Sequence, residues 1–100
     1  MGLQRNARAA VNPVSSDGSI RALGRCLDVS QSAKANGSKV QLWDCNGTGA
    51  QRWWPKSGET TLVNSPSGRC LDMPGANPAN GIQLQIYDCN ASAAQAWRLP

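Results

Sequence analysis

The chain has 100 residues, of which 40% are apolar and 16% charged, and a net charge of +4. A domain of this size buries only about 60 to 65% of its unfolded surface, so its core needs reinforcement, yet the apolar fraction is too high for wholesale disorder. The seven arginines, Arg5, Arg8, Arg21, Arg25, Arg52, Arg69 and Arg98, are scattered rather than gathered into a stripe, which argues against nucleic acid as a partner; no apolar run approaches the roughly 20 residues of a membrane span.

In chain order, residues 1–15 come first and share nothing with the rest, so they are set apart as a non-homologous N-terminal segment with disorder as one reading. They carry arginine but lack the apolar stretch of a secretory signal. From there on, short apolar pieces alternate with Gly, Asn, Pro and Ser, without a helical stripe. Strands are predicted at Ser19 to Leu23, Cys26 to Val29, Lys39 to Trp43 and Arg52 to Lys56. A second set follows at Thr61 to Asn64, Cys70 to Met73, Gln83 to Tyr87 and Ala96 to Leu99. The fold class is therefore all-β.

The two sets are copies. Gly24 to Trp53 lies over Gly68 to Trp97 at a shift of 44 without a gap, and 15 of the 30 positions are identical. The period falls among those of repeat architectures and also admits a β-propeller blade, but two blades cannot close a ring. The repeats are bounded at 16–58 and 59–100.

Cys26, Cys45, Cys70 and Cys89 are spaced 19, 25 and 19 positions apart, and the chain has no histidine and no CxxC. That disfavours a metal, and no cofactor is expected. Of the three possible pairings, the equal spacing favours Cys26–Cys45 and Cys70–Cys89, the same closure made twice. Disulfides imply an oxidising, extracellular setting, and the protein is expected to be secreted.

In the predicted strand Lys39 to Trp43 the two-residue period puts Val40 and Leu42 on one face and Gln41 and Trp43 on the other; Leu84 and Ile86 stand against Gln85 and Tyr87 in the second copy. An amide and an aromatic ring side by side suit a sugar, whose C–H face rests on the ring while its hydroxyls meet polar groups. Asp28 and Asp72, each after Cys-Leu, can take two neighbouring hydroxyls at once. Gln41, Gln85, Asn46 and Asn90 both donate and accept. Other readings stay open: Asp28, Asp72, Asn46 and Asn90 as turn formers, Trp43 and Tyr87 as core aromatics, Gln51 and Gln95 as internal braces. Asp44 and Asp88, next to Cys, read as structural, and Trp53 and Trp97 as core. Catalysis is disfavoured, because the carboxylates come as repeated equivalents with none set apart as acid or base, and no GxSxG stands in the chain.

The segments CLDV, NG, VQLWDCN and QRW, followed by CLDM, NG, LQIYDCN and QAW, resemble the ricin B-type β-trefoil lectins and family-13 carbohydrate-binding modules. The resemblance runs from Ser16 to Pro100 and implies a β-trefoil of which this chain holds two of three four-stranded repeats, similar to the second and third. It implies one shallow carbohydrate site at Asp28, Gln41, Trp43, Asn46 and Gln51 and another at Asp72, Gln85, Tyr87, Asn90 and Gln95. A first repeat or an upstream catalytic domain is the further partner it implies. Ala50 and Ala94 depart from the pattern, standing where many relatives carry Asn before the Gln of QxW. That departure admits a trefoil that binds protein instead of sugar.

Overall fold

Leu23 and Gly24 both take positive φ, 54° and 75°, the condition for a two-residue hairpin turn whose twist matches its strands. The turn joins β2 (Arg21–Ala22) to β3 (Arg25–Val29), with Ala22 opposite Arg25. In this computed structural model the described residues are 9–10, 14–56, 61–77 and 81–98. The boundary between the repeats at residues 58 and 59, and the end of the last predicted strand at Leu99, lie outside them.

The chain is all-β apart from single 3-10 turns. β1 (Ala9–Ala10) is followed by β2, β3, β4 (Val40–Trp43) and β5 (Trp53–Pro55). Then come β6 (Leu62–Asn64), β7 (Cys70–Asp72), β8 (Gln85–Tyr87) and β9 (Trp97–Arg98). β2 to β9 lie within the eight strands predicted or within a residue of them, mostly shortened at the ends. β1 lies before the first predicted strand; it pairs in parallel with β9, Ala9 opposite Trp97. Two alanines carry no pattern from which a strand can be read.

The remaining strands form two antiparallel sheets, β2-β3-β4 and β5-β6-β7-β8. The second sheet begins with the last strand of the first repeat, so the repeats share it. They are also joined at a second place, where Gly37 N–H donates to Ile86 O (2.8 Å), Ile86 N–H to Ser38 O (3.0 Å) and Val40 N–H to Leu84 O (3.0 Å). Beside that seam the Asn36 side chain of the first repeat accepts from Arg69 Nε (2.6 Å) and Asp88 N–H (2.7 Å) and donates to Asp88 Oδ2 (3.0 Å).

One apolar core runs through both copies. It contains Ile20, Leu27, Val29, Val40, Trp53, Leu62, Leu71, Leu84, Ile86 and Trp97, all at most 4% exposed. Trp53 and Trp97 anchor it, each donating its indole N–H to the carbonyl of the Leu before the site aspartate, Leu27 (3.1 Å) and Leu71 (3.0 Å). Disulfides Cys26–Cys45 and Cys70–Cys89 tie the start of β3 and of β7 to the segment after the following strand.

Close packing between the repeats is sharpest at Gly49, where a Cβ would lie 2.6 Å from Pro66 Cγ. Gly49→Ala is expected to lower stability by about 1 to 3 kcal/mol, the usual range for overpacking. A urea melt checks it. The corresponding change in the second repeat is already present, as Ala93.

Candidate functional site

Strand register builds most of the site. Asp28 stands opposite Gln41, and Cys26 opposite Trp43, across the β3–β4 ladder. Because residues two apart share a face, these four side chains lie together while Leu27, Val29, Val40 and Leu42 point to the other side. β7 and β8 repeat the arrangement, Asp72 opposite Gln85 and Cys70 opposite Tyr87. The alternation read in the sequence therefore holds. Val40, Leu84 and Ile86 are buried, while Trp43 and Tyr87 are 54% and 41% exposed.

Leu42 is only half-buried, whereas Ile86 is covered completely. Ile86 is flanked by the Gly37–Ser38 backbone of the other repeat. Among the described residues no such segment flanks Leu42.

The carboxylates are held from beneath. Gln41 Nε2 donates to Asp28 Oδ1 (3.2 Å) and Gln51 Nε2 to Asp28 Oδ2 (2.9 Å). Gln85 and Gln95 do the same for Asp72, at 2.9 and 3.0 Å. Each carboxylate oxygen thus accepts one bond, and a carboxylate has about four acceptor positions. Both aspartates are themselves buried, each 5% exposed, with acceptor positions left over.

Gln51 and Gln95 need correction as surface ligands. They are 2% and 0% exposed, and their remaining atoms are engaged with the backbone. Gln51 donates to Asp44 O (2.9 Å) and accepts from Asn46 N–H (2.9 Å); Gln95 donates to Asp88 O (2.8 Å) and accepts from Asn90 N–H (2.9 Å). A glutamine presented by a 3-10 turn, Gly49–Gln51 or Ala93–Gln95, clamps the aspartate to the chain on either side of the second Cys. The internal-brace alternative describes them.

Asn46 and Asn90 lie at the exposed end of each group, but their Oδ1 atoms shape the local turn. Asn46 Oδ1 accepts from Thr48 N–H (3.1 Å) and Oγ1 (2.8 Å), and Asn90 Oδ1 from Ser92 N–H (3.0 Å). Ala50 is buried, so a methyl group fills the space beside the brace. Asp44 and Asp88 point outward and pair with Arg25 (3.5 Å) and Arg69 (3.3 Å).

Each repeat thus offers one shallow surface: a fixed carboxylate, a half-buried amide and an exposed ring. No cluster of His, Cys, Asp or Glu suited to a metal is present among the described residues. No described helix is long and apolar enough to cross a membrane.

The comparisons agree with this architecture. Agglutinin from Abrus precatorius superimposes with a TM-score of 0.73 at 28% identity, over 85% of this chain and 31% of that one. The designed three-fold symmetric protein ThreeFoil matches with a TM-score of 0.72 at 25% identity, over 88% of this chain and 67% of its own. A non-toxic homologue of type II ribosome-inactivating proteins from Momordica charantia, solved with α-methyl-D-galactoside, gives 0.66 at 25% identity over 91% and 37%. The chain thus spans about a third of the two plant proteins and two-thirds of the symmetric design. No curated protein sequence matches significantly. The model of the ricin-type β-trefoil lectin domain matches residues 6–97, beginning inside the segment 1–15 that the internal repeat sets apart. With its sheets, its paired Asp–Gln–Gln groups and nearly its whole length accounted for, the chain belongs to the ricin-type β-trefoil lectins, a family of non-catalytic carbohydrate-binding domains.

Proposed function

We propose that the chain binds galactose- or xylose-type sugars, or polysaccharides built from them, through two surfaces, and serves as a binding module of a secreted lectin or glycoside hydrolase. The observation that carries this reading is the duplicated placement of an exposed ring beside a braced carboxylate, Trp43 with Asp28 and Tyr87 with Asp72. Gln41 and Gln85 join them at the surface. Asn46 and Asn90 retain their amide N–H groups toward a ligand, and Gln51 and Gln95 act by positioning. The galactoside in the Momordica charantia homologue supports the sugar class.

A surface this open gives weak binding per repeat, about millimolar or −4 kcal/mol. Two surfaces on one rigid body raise the avidity for a polymer by about two orders of magnitude or more where both engage it. Two disulfides, which persist in oxidising compartments, support the secreted setting.

Trp43→Ala should abolish about half of the binding sites and shift the urea midpoint only a little, since about half of the residue is in solvent. Tyr87→Ala should do the same for the other half. The test is a glycan array followed by titration calorimetry on the best ligand. Wild-type binding in both variants would sink the assignment. The second reading, a trefoil that binds protein, is favoured by Ala50 and by the turn bonds of Asn46 and Asn90, which remove polar contacts from the surface. A folded chain that binds nothing on the array would support it.

A further inference from the structure

Across the Cys26–Cys45 disulfide from Trp43 lies a second depression that the repeat pattern does not explain. Its volume is about 240 Å³, and its walls include Asp17, Ser19, Arg21, Thr48 and Arg52. It is lined by neither Asp28, Gln41 nor Trp43, and it adjoins the first surface through Cys26 and the brace Gln51. One wall is built as a rigid unit: Ser19 N–H and Oγ donate to Asp17 Oδ1 (3.0 and 2.6 Å), Arg21 Nε donates to Ser19 Oγ (3.0 Å), and Arg21 Nη2 to Asp17 Oδ2 (2.9 Å). The Ser19 bonds, with a smaller contribution from Arg21, hold the Asp17 carboxyl down at about 2. The stability it confers is complete above its ordinary value of 3.8 and disappears only as pH falls through about 2. Arg21 and Asp17 thus balance one another at any neutral or mildly acidic pH.

Another lining residue leaves a charge over. Arg52 is exposed, donates one bond to Gly47 O (3.2 Å) and is ion-paired with no described carboxylate. The fold does not call for these charges. In strand register, with Arg21 opposite Cys26 and Val63 opposite Cys70, the second repeat carries Thr61 and Val63 where the first has Ser19 and Arg21, and at the shift of 44 it carries Ala96 where the first has Arg52. Both repeats make the same strands and the same braced aspartate, so the two arginines are an addition to one copy.

We propose that this cleft binds the anionic group, carboxylate or sulfate, of an acidic saccharide, with Arg52 as the principal contact and the Arg21–Asp17–Ser19 wall facing the sugar hydroxyls. A guanidinium has five N–H donors in a planar fork that matches such anions, and Arg52 uses one of them on Gly47. The proposal rests on the lectin reading and adds a third contact region, specific to charged glycans.

The test uses the full chain and three probes: galacturonate oligomers, neutral galactose oligomers of equal length, and inorganic sulfate. Arg52→Ala is the chosen variant, because Ala96 shows that the fold accepts alanine there. Galacturonate binding should fall about tenfold or more in Arg52→Ala and weaken with added salt, while neutral-oligomer binding stays at the wild-type level. Trp43→Ala should give the opposite pattern. Equal galacturonate affinity in wild type and Arg52→Ala, or sulfate alone binding as tightly as the oligomer, overturns the proposal. Neutral oligomers bound without galacturonates would refute this cleft alone. Galacturonates bound through Arg52, with neutral oligomers bound equally by wild type, Trp43→Ala and Tyr87→Ala, would refute the two repeat surfaces instead.

Discussion

Gln95→Leu is expected to cost at least about 3 kcal/mol and to remove sugar binding from the second repeat without altering a single surface atom. The substitution keeps the volume but deletes the donor to Asp72 Oδ2 and Asp88 O and the acceptor for Asn90 N–H. Stranding a buried polar group costs about 1 to 3 kcal/mol, and more where a charged group is involved. A 100-residue domain has only about 5 to 15 kcal/mol in total, so about a fifth or more of its stability hangs on one side chain. Tyr87→Ala provides the contrast, since it should lose the same binding with a much smaller loss of stability. The pair separates positioning from contact: a urea midpoint for Gln95→Leu equal to wild type would show that the brace does not hold Asp72.

Removal of the disulfides is expected to have the other large effect. Each closes a loop of about 20 residues and contributes about 3 kcal/mol in the chain-entropy description. Replacing Cys70 and Cys89 by alanine should shift the urea midpoint strongly downward, and replacing all four cysteines should leave the chain unfolded at 25 °C. Far-UV and near-UV circular dichroism, with and without a thiol reductant, would check both. Retention of near-UV signal by the four-alanine variant would show that the apolar core suffices alone. The effect reaches the binding surface too, because Cys26 and Cys70 stand in register with Trp43 and Tyr87.

The sequence was most informative where local pattern and tertiary need coincide. The shift of 44 marked out the repeating unit, and the alternation in Val40–Trp43 and Gln85–Tyr87 separated core from surface without further help. Trp53 and Trp97 were legible as core, since a large ring recurring at the end of each copy has little other use. Two strand partners and one face of each sheet follow from such periodicity, because a strand has only two faces.

What only the tertiary structure decided are the questions of depth and of neighbours. Gln41 and Gln51 are the same residue type, yet one lies at the surface and the other is buried, because a 3-10 turn folds Gln51 under the sheet. Nothing in a one-dimensional pattern of polar residues distinguishes them. The strand Ala9–Ala10 was invisible for a related reason: its partner Trp97–Arg98 lies at the far end of the chain, and two alanines signal no pairing. The cleft beside Arg52 is likewise assembled from residues 17 to 21 and 47 to 52, apart in sequence and brought together where Trp53 N–H donates to Gly18 O. By itself the sequence determined a duplicated, disulfide-closed β unit of the lectin type. Which of its polar groups face a ligand and which hold another group in place was decided by packing, since burial depends on contacts between distant segments.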